Sequence, residues 1–363
     1  MSCGTSAIRV GGFWSGNENE MALLSNGNNG TDINTKAGST WDSFTGMTWG
    51  PVFTLLDENA AISLRVCAGG RELDLNSKIN GGAGVALWDV AEGKIVESTF
   101  RTGNSTNANW LNQTIPLNSP GLEEGKQYML VGIDREIRSY GWFGVDSIMA
   151  PIGSVMVADP NTTHKVTLEF TFDEPGNWAG WTQVGASGNP TSFVLGNTPS
   201  NALSFYIDSQ NAGAGFLAST SPTDTDWNRP TGELISPTFI IDGDIIEFMI
   251  AGGSGDGLGF DLMVDMLGNG IFTSQKTSKN ARDSHEFIYD YWNVQDFIGR
   301  EAYFSLWDNV GNTWGYIVVD NIRMINFLGT MDSDVPEPGT WLMLLLGLGA
   351  LGCRRMKRSV FPV

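Results

Sequence analysis

The chain repeats itself, and the repeat leaves few folds open. Gly125-Lys126 returns as Gly299-Arg300, Asp134 as Asp308, Tyr140-Gly141 as Trp314-Gly315, and Val145-Asp146-Ser147-Ile148 as Val319-Asp320-Asn321-Ile322, all 174 positions later and without a gap. Further upstream Ala68-Gly69-Gly70 faces Ala251-Gly252-Gly253 at an offset of 183, each after a run with alternating apolar residues, Ile62 to Val66 and Ile246 to Ile250. Alternation of that period reads as a strand with one buried face. The change of offset gives the first copy nine extra residues, and the polar, glycine-containing stretch from Arg71 to Gly84 is where they fit. Two copies of one strand-rich unit predict two domains in these 363 residues.

The second copy can be followed backwards through Leu168-Glu-Phe-Thr-Phe-Asp-Glu-Pro-Gly176, Trp178-Ala-Gly-Trp181-Thr-Gln-Val-Gly185 and Thr231-Gly-Glu-Leu-Ile-Ser-Pro-Thr-Phe239. These segments resemble the opening of bacterial galactose-binding-like jelly rolls, in which an acidic strand end and a Gly-Trp strand precede a Ser-Pro-x-Phe strand. Thr45 to Phe53 matches the last of them, and Ala22-Leu-Leu-Ser25 matches Phe216-Leu-Ala-Ser219, but nothing answers Leu168 to Trp181. The expected fold is all-β, two tandem jelly-roll β-sandwiches followed by a short C-terminal hydrophobic helix. The first sandwich spans 1–150, N-terminally truncated and with an unpaired sheet edge; 151–163 is a linker, 164–327 the second sandwich and 328–335 a second linker. Composition agrees, with 46 glycines, only 17% charged residues, and turn pairs such as Asn26-Gly27, Asp242-Gly243 and Asp256-Gly257.

Residues 336–358 differ in kind. Pro336-Glu337-Pro338 forbids regular helix, an apolar run follows from Trp341 to Gly352, and Arg354, Arg355, Lys357 and Arg358 close it. This order resembles the PEP-CTERM sorting signal, with Pro336, Glu337, Pro338, Arg354 and Arg355 as its defining residues. The resemblance implies an exosortase as partner, an inner-membrane anchor held transiently through the tail, and a Gram-negative exporter of exopolysaccharide. The run is short: 341–352 covers about 18 Å as a helix against a hydrocarbon core of roughly 30 Å. The start, Met1-Ser-Cys-Gly-Thr-Ser-Ala-Ile-Arg, shows no signal peptide, so the expectation of export carries with it a start upstream of Met1.

A net charge of −19 argues against nucleic acid as a partner. Cys3, Cys67 and Cys353 are too few and scattered for a zinc site or a disulfide framework. His164 and His285 are the only histidines, which leaves Ser-His-acid catalysis almost without candidates. The glycine-rich stretch from Gly252 to Gly259 lacks the spacing of a phosphate loop. Binding chemistry is better supplied. Asp173, Glu174 and Asp320 would meet if the first and last strands of the second sandwich lie side by side, as in the jelly rolls it resembles, and oxygen-only ligands suit a structural Ca²⁺; the alternative is that Asp320 caps a turn. For carbohydrate, which needs an aromatic face among hydroxyl partners, the candidates are Trp227 in a polar loop and, as a second group, Tyr289, Tyr291 and Trp292. Trp142, Trp181 and Trp314 fall in strand patterns and are expected in the core.

The sequence therefore reads as an exported, non-enzymatic protein of the cell surface or extracellular matrix, associated with exopolysaccharide. An accessory carbohydrate-binding module derived from a glycoside hydrolase and a structural spacer are the alternatives.

Overall fold

The computed structural model describes residues 23–24, 46–68, 73–78, 81–100, 111–118, 120–135, 143–157, 164–172, 180–184, 194–196, 216–219, 231–311 and 314–327. Within them the fold is β throughout apart from one short 3-10 turn at Gln295–Phe297. The strands in chain order are β1 (Leu23–Leu24), β2 (Gly46–Leu55), β3 (Ala61–Ala68), β4 (Ala83–Asp89), β5 (Lys94–Phe100), β6 (Leu111–Pro116), β7 (Gln127–Asp134), β8 (Phe143–Met149) and β9 (Val155–Val157). There follow β10 (Lys165–Phe170), β11 (Thr182–Val184), β12 (Val194–Gly196), β13 (Phe216–Ala218), β14 (Gly232–Ile235), β15 (Phe239–Ile240), β16 (Ile245–Gly252), β17 (Leu258–Val264), β18 (Thr273–Ser278), β19 (Ser284–Asn293), β20 (Glu301–Asp308) and β21 (Ile317–Asn326). They form four sheets: I, in the order β1-β8-β3-β6; II, β5-β4-β7-β2-β9; III, β12-β13-β21-β16-β19 with β10 on β21; and IV, β11-β14-β20-β17-β18 with β15 on β20.

Sheets I and II enclose one core, which includes Ile62, Leu64 and Val66 of β3 and Tyr128 and Leu130 of β7. Sheets III and IV enclose a larger one, with Ile246, Phe248 and Ile250 of β16 facing Phe260, Leu262 and Phe304. The period-2 alternation of those strands is what turns one set of side chains inward. Trp181 belongs to this core, as its strand pattern indicated.

The repeat is reproduced residue by residue. Gly46 pairs with Asp134 as Gly232 pairs with Asp308, and Leu23 with Val145 as Leu217 with Val319. The expected neighbourhood of first and last strands is also present, β10 lying antiparallel on β21. Two differences from the sequence reading concern the first copy. Val155–Val157, assigned to the linker, forms β9 and pairs with Phe53 to Leu55, so the lower part of the β2 edge is covered by chain that follows β8. The extra loop is a strap rather than a slack insertion: Leu73 and Leu75 pack into an apolar cluster shared with the second sandwich, Arg135 Nη1 donates to the carbonyls of Leu75 and Ser77, and Lys78 Nζ reaches Asp290 Oδ2 at 2.6 Å.

That shared cluster joins the sandwiches through the outer faces of sheets II and III. Val52, Ala86, Trp88, Met129, Val131 and Ile133 meet Ile245, Ile325 and Phe327. Trp49 stands edge-on to Trp88 at 5.1 Å and to Tyr291 at 6.1 Å. Polar groups at the seam are matched: Glu247 pairs with Arg323 and accepts from Tyr289 Oη at 2.7 Å and Trp49 Nε1 at 3.4 Å. Asn293 Nδ2 donates to Gly93 O and Gln295 Nε2 to Val90 O. These last bonds set the lower ends of the sandwiches, where β7 and β20 begin, on one side of the molecule. Of the large apolar side chains exposed among the described residues, all but Val184 sit towards that lower end, Met149, Met156 and Val166 among them.

Candidate functional site

Sheet IV turns its inner residues, Ala302, Phe304 and Leu306, into the core. Its outer face is therefore built by the alternate positions: Tyr303, Ser305 and Trp307 on β20, Glu233 on β14, and Gly259 and Asp261 on β17. Cross-strand pairing sets them in rows, Glu233–Trp307–Gly259 and, next to it, Ser305–Asp261. The centre of the first row is a flat indole. A Cβ placed on Gly259 would meet Trp307 Cε2 and Cζ2 at 2.5 Å and Nε1 at 2.7 Å, three ring atoms at nearly one distance, so the ring lies across the bare glycine with its other face outward. Any side chain at 259 would lift it.

Polar groups border the indole. Ser305 Oγ donates to Glu233 Oε1 at 2.6 Å. Burial, and then the charge of Glu233, raise the Tyr303 hydroxyl above the ordinary phenol range. Asp261 Oδ1 is buried with no hydrogen-bond partner among the described residues, an arrangement that buried acceptors rarely keep unless something supplies a donor. An aromatic plane beside two carboxylates and a hydroxyl is suited to a ligand with an apolar face and hydroxyl edges.

The residues singled out from sequence fall elsewhere. Tyr289, Tyr291 and Trp292 are corrected as a sugar-facing group, because their rings are committed to the protein. Trp292 stacks on Phe260 at 5.1 Å inside the core, Tyr291 closes the seam against Trp88, and Tyr289 donates to Glu247. All three sit on a strand whose two faces are both covered, which a run of aromatics in a polar sequence does not reveal. Asp320 is wholly buried beside the end of β10. Its Oδ1 accepts from Asn321 N at 2.7 Å and its Oδ2 from Asn321 Nδ2 at 3.3 Å, within β21 rather than at a turn. Asp173, Glu174 and Trp227 lie outside the described residues, as do Pro336, Glu337, Pro338, Arg354 and Arg355. Among the described residues no group of three His, Cys, Asp or Glu is placed to hold a metal ion, and no helix is long and apolar enough to cross a membrane.

Trp307 escaped the sequence reading because it sits beside apolar residues in a strand. The signal was the alternation Glu301-x-Tyr303-x-Ser305-x-Trp307 against Ala302, Phe304 and Leu306, which separates two faces of β20.

Residues 334–358 match the family of PEP-CTERM protein-sorting motifs. The chain carries a PEP-CTERM sorting signal. This signal implies exosortase processing and export, with transient anchoring through the tail. No curated protein matches the chain in sequence. Among solved structures, the K1 cleaved adhesin domain of Lys-gingipain from Porphyromonas gingivalis aligns at 17% identity over 46% of this chain and 98% of its own, with a TM-score of 0.31. A carbohydrate-binding module described for specific mannan recognition, TmCBM27, aligns at 14% over 46% and 99%, with a TM-score of 0.25. The tandem CBM22 domains of Xyn10C from Paenibacillus barcinonensis align at 10% over 80% and 94%, with a TM-score of 0.27. The assignment of two β-sandwiches rests on the strand order and register of this chain.

Proposed function

We propose that this PEP-CTERM protein is a non-enzymatic glycan-binding protein of the cell surface or its matrix, and that it binds through the outer face of sheet IV. The observation that carries the reading is the indole of Trp307 laid flat over Gly259, with Glu233, Ser305 and Asp261 alongside. A pyranose ring offers C–H groups to the indole and hydroxyls to the carboxylates. Two carboxylates on the face, in a chain of net charge −19, favour an uncharged polysaccharide over a uronate or sulfated one, because like charges brought together in a partly dehydrated site repel. The sorting signal supports delivery to the cell surface, where a neutral exopolysaccharide is the ligand this face fits.

The test is a glycan array followed by calorimetric titration of neutral oligosaccharide hits. Trp307→Ala is expected to weaken binding by roughly 1–3 kcal/mol, the scale of aromatic stacking, with the melting temperature nearly unchanged. Equal affinity in the variant, or no neutral glycan bound at all, would remove sheet IV as the site.

A further inference from the structure

The lower end of the molecule exposes large aliphatic side chains among charged ones. Leu267, 80% exposed, and Ile271, 65% exposed, form the tip of the β17–β18 turn; Ile240 and Ile298 stand beside them, and Leu56 and Ile152 occupy the matching end of the first sandwich. The tip is held in place rather than loose: the Asp265 carboxylate accepts from the N–H groups of Leu267, Asn269 and Gly270. Ile240 and Ile298 are fixed by the neighbouring bonds from Gly299 N to Ile241 O and from Ile241 N to Arg300 O. Aliphatic side chains gathered at one end and held out into water mark a contact surface.

The chain also departs from this end. Phe327 N donates to Asp244 Oδ2 and Asn326 Nδ2 to Asp242 O, which puts the exit a few residues from Ile240. Beyond Phe327 the sorting motif occupies 334–358 and its apolar run begins at Trp341. The number of residues between sets an upper limit of about 50 Å on the span. A membrane that holds the run therefore lies within reach of the lower end, at high effective concentration.

We propose that, while the tail is anchored, the lower end of the two sandwiches seats on the lipid surface through Leu267, Ile271, Ile240, Ile298, Leu56 and Ile152. The inference rests on the tail acting as a membrane segment. The exposed charges at the same end are acidic in excess, Glu58, Asp242, Asp296 and Glu301 against Lys165 and Arg300, which makes the contact one of aliphatic side chains with uncharged lipid rather than of cations with anionic headgroups.

The full-length protein, reconstituted in phosphatidylcholine/phosphatidylethanolamine vesicles containing phosphatidylcholine with a diazirine in its acyl chain, is irradiated and the cross-linked peptides are mapped. Cross-links at 265–272 and around Ile152 are expected about ten-fold above those at the upper loops. A Leu267→Asp, Ile271→Asp double variant, altering only exposed side chains, should lower them at least five-fold at the turn while those in the tail persist. Cross-links confined to the tail, or spread evenly over the sandwiches, overturn the proposal and leave the anchor intact. Vesicles that fail to carry the protein in flotation overturn the anchor and the proposal together. Hydrogen-exchange protection of 265–272 in the lipid-free chain that vanishes on deleting 341–352 would show the tail's own apolar run covering the turn, and also overturns it.

Discussion

Sheets II and IV are the same sheet made twice, and their outer faces have opposite fates. Where the second copy has Tyr303, Ser305 and Trp307 on its central strand, the first has Met129, Val131 and Ile133. Where the second has Glu233 and Asp261, the first has Met47 and Ala86. The apolar version is buried against sheet III of the other sandwich, whereas in the polar and aromatic version Tyr303, Trp307, Glu233 and Asp261 stay partly exposed and Ser305 is buried. Identical backbone register thus serves two purposes, and the side chains at alternate positions decide which. The gain from covering an apolar face, about 25 cal/mol per Å², is realised in the first copy only because a second sandwich is supplied on the same chain. The glycine of the central row, Gly84 in one and Gly259 in the other, is kept in both.

The comparison can be broken most directly at Trp88. This side chain is fully buried in the seam, and Trp88→Ala should cost about 3–5 kcal/mol, as for other large core aromatics. Chemical denaturation of the full chain would then show the sandwiches unfolding in separate transitions instead of together; a single transition at the wild-type midpoint would mean the seam contributes little.

A second effect tests the repeat through its shared aspartate. Burial raises Asp308 to about 7, even though Ser219 Oγ and Val310 N donate to it. The folded state then holds this proton more tightly than the unfolded chain, whose carboxyl titrates near 4. Stability from this group is complete below about pH 4 and declines as pH rises towards 7, by at most about 4 kcal/mol. Melts between pH 4 and 8 should show that decline in the wild type and a flatter profile in Asp308→Asn. A steeper profile in the variant would contradict the assignment.

The smallest effect sharpens the contrast at the outer face of sheet IV. Gly259→Ala should tilt the Trp307 indole and reduce glycan affinity several-fold, while changing stability by less than about 1 kcal/mol, since the displaced ring can move outward. Unchanged affinity would show that the flat setting of the ring is immaterial.

Much of this architecture is legible in the sequence. The alignment of Thr45–Phe53 with Thr231–Phe239 places Gly46 and Gly232 opposite equivalent aspartates, and the structure pairs them so. The Ala-Gly-Gly motif also has a local cause, for a Cβ on Gly253 would run into the Trp314 carbonyl and Leu258. What stayed hidden depends on contacts between copies. β4 is buried at every position, yet Ala-Gly-Val-Ala-Leu-Trp-Asp reads the same whether its second face meets a partner or nothing. The site was hidden for the converse reason: Trp307 becomes a platform only once Gly259 is known to lie across from it, and that requires the register of two strands distant in sequence. Tyr291 misled because polar neighbours such as Asp290 and Asn293 are themselves engaged across the seam, with Lys78 and with Gly93.

The way the chain ends has a mechanical meaning. β21 is flanked by β16 on one side and by β13 and then β10 on the other, and just past its end comes Phe327, whose ring is wedged against Trp49 and His164 of the seam. Tension drawn along the tail therefore acts parallel to a central strand. Its ladder bonds must give way together, in shear, rather than one after another as in peeling an edge strand. Because Phe327 bears on both sandwiches through their shared cluster, the load divides between them.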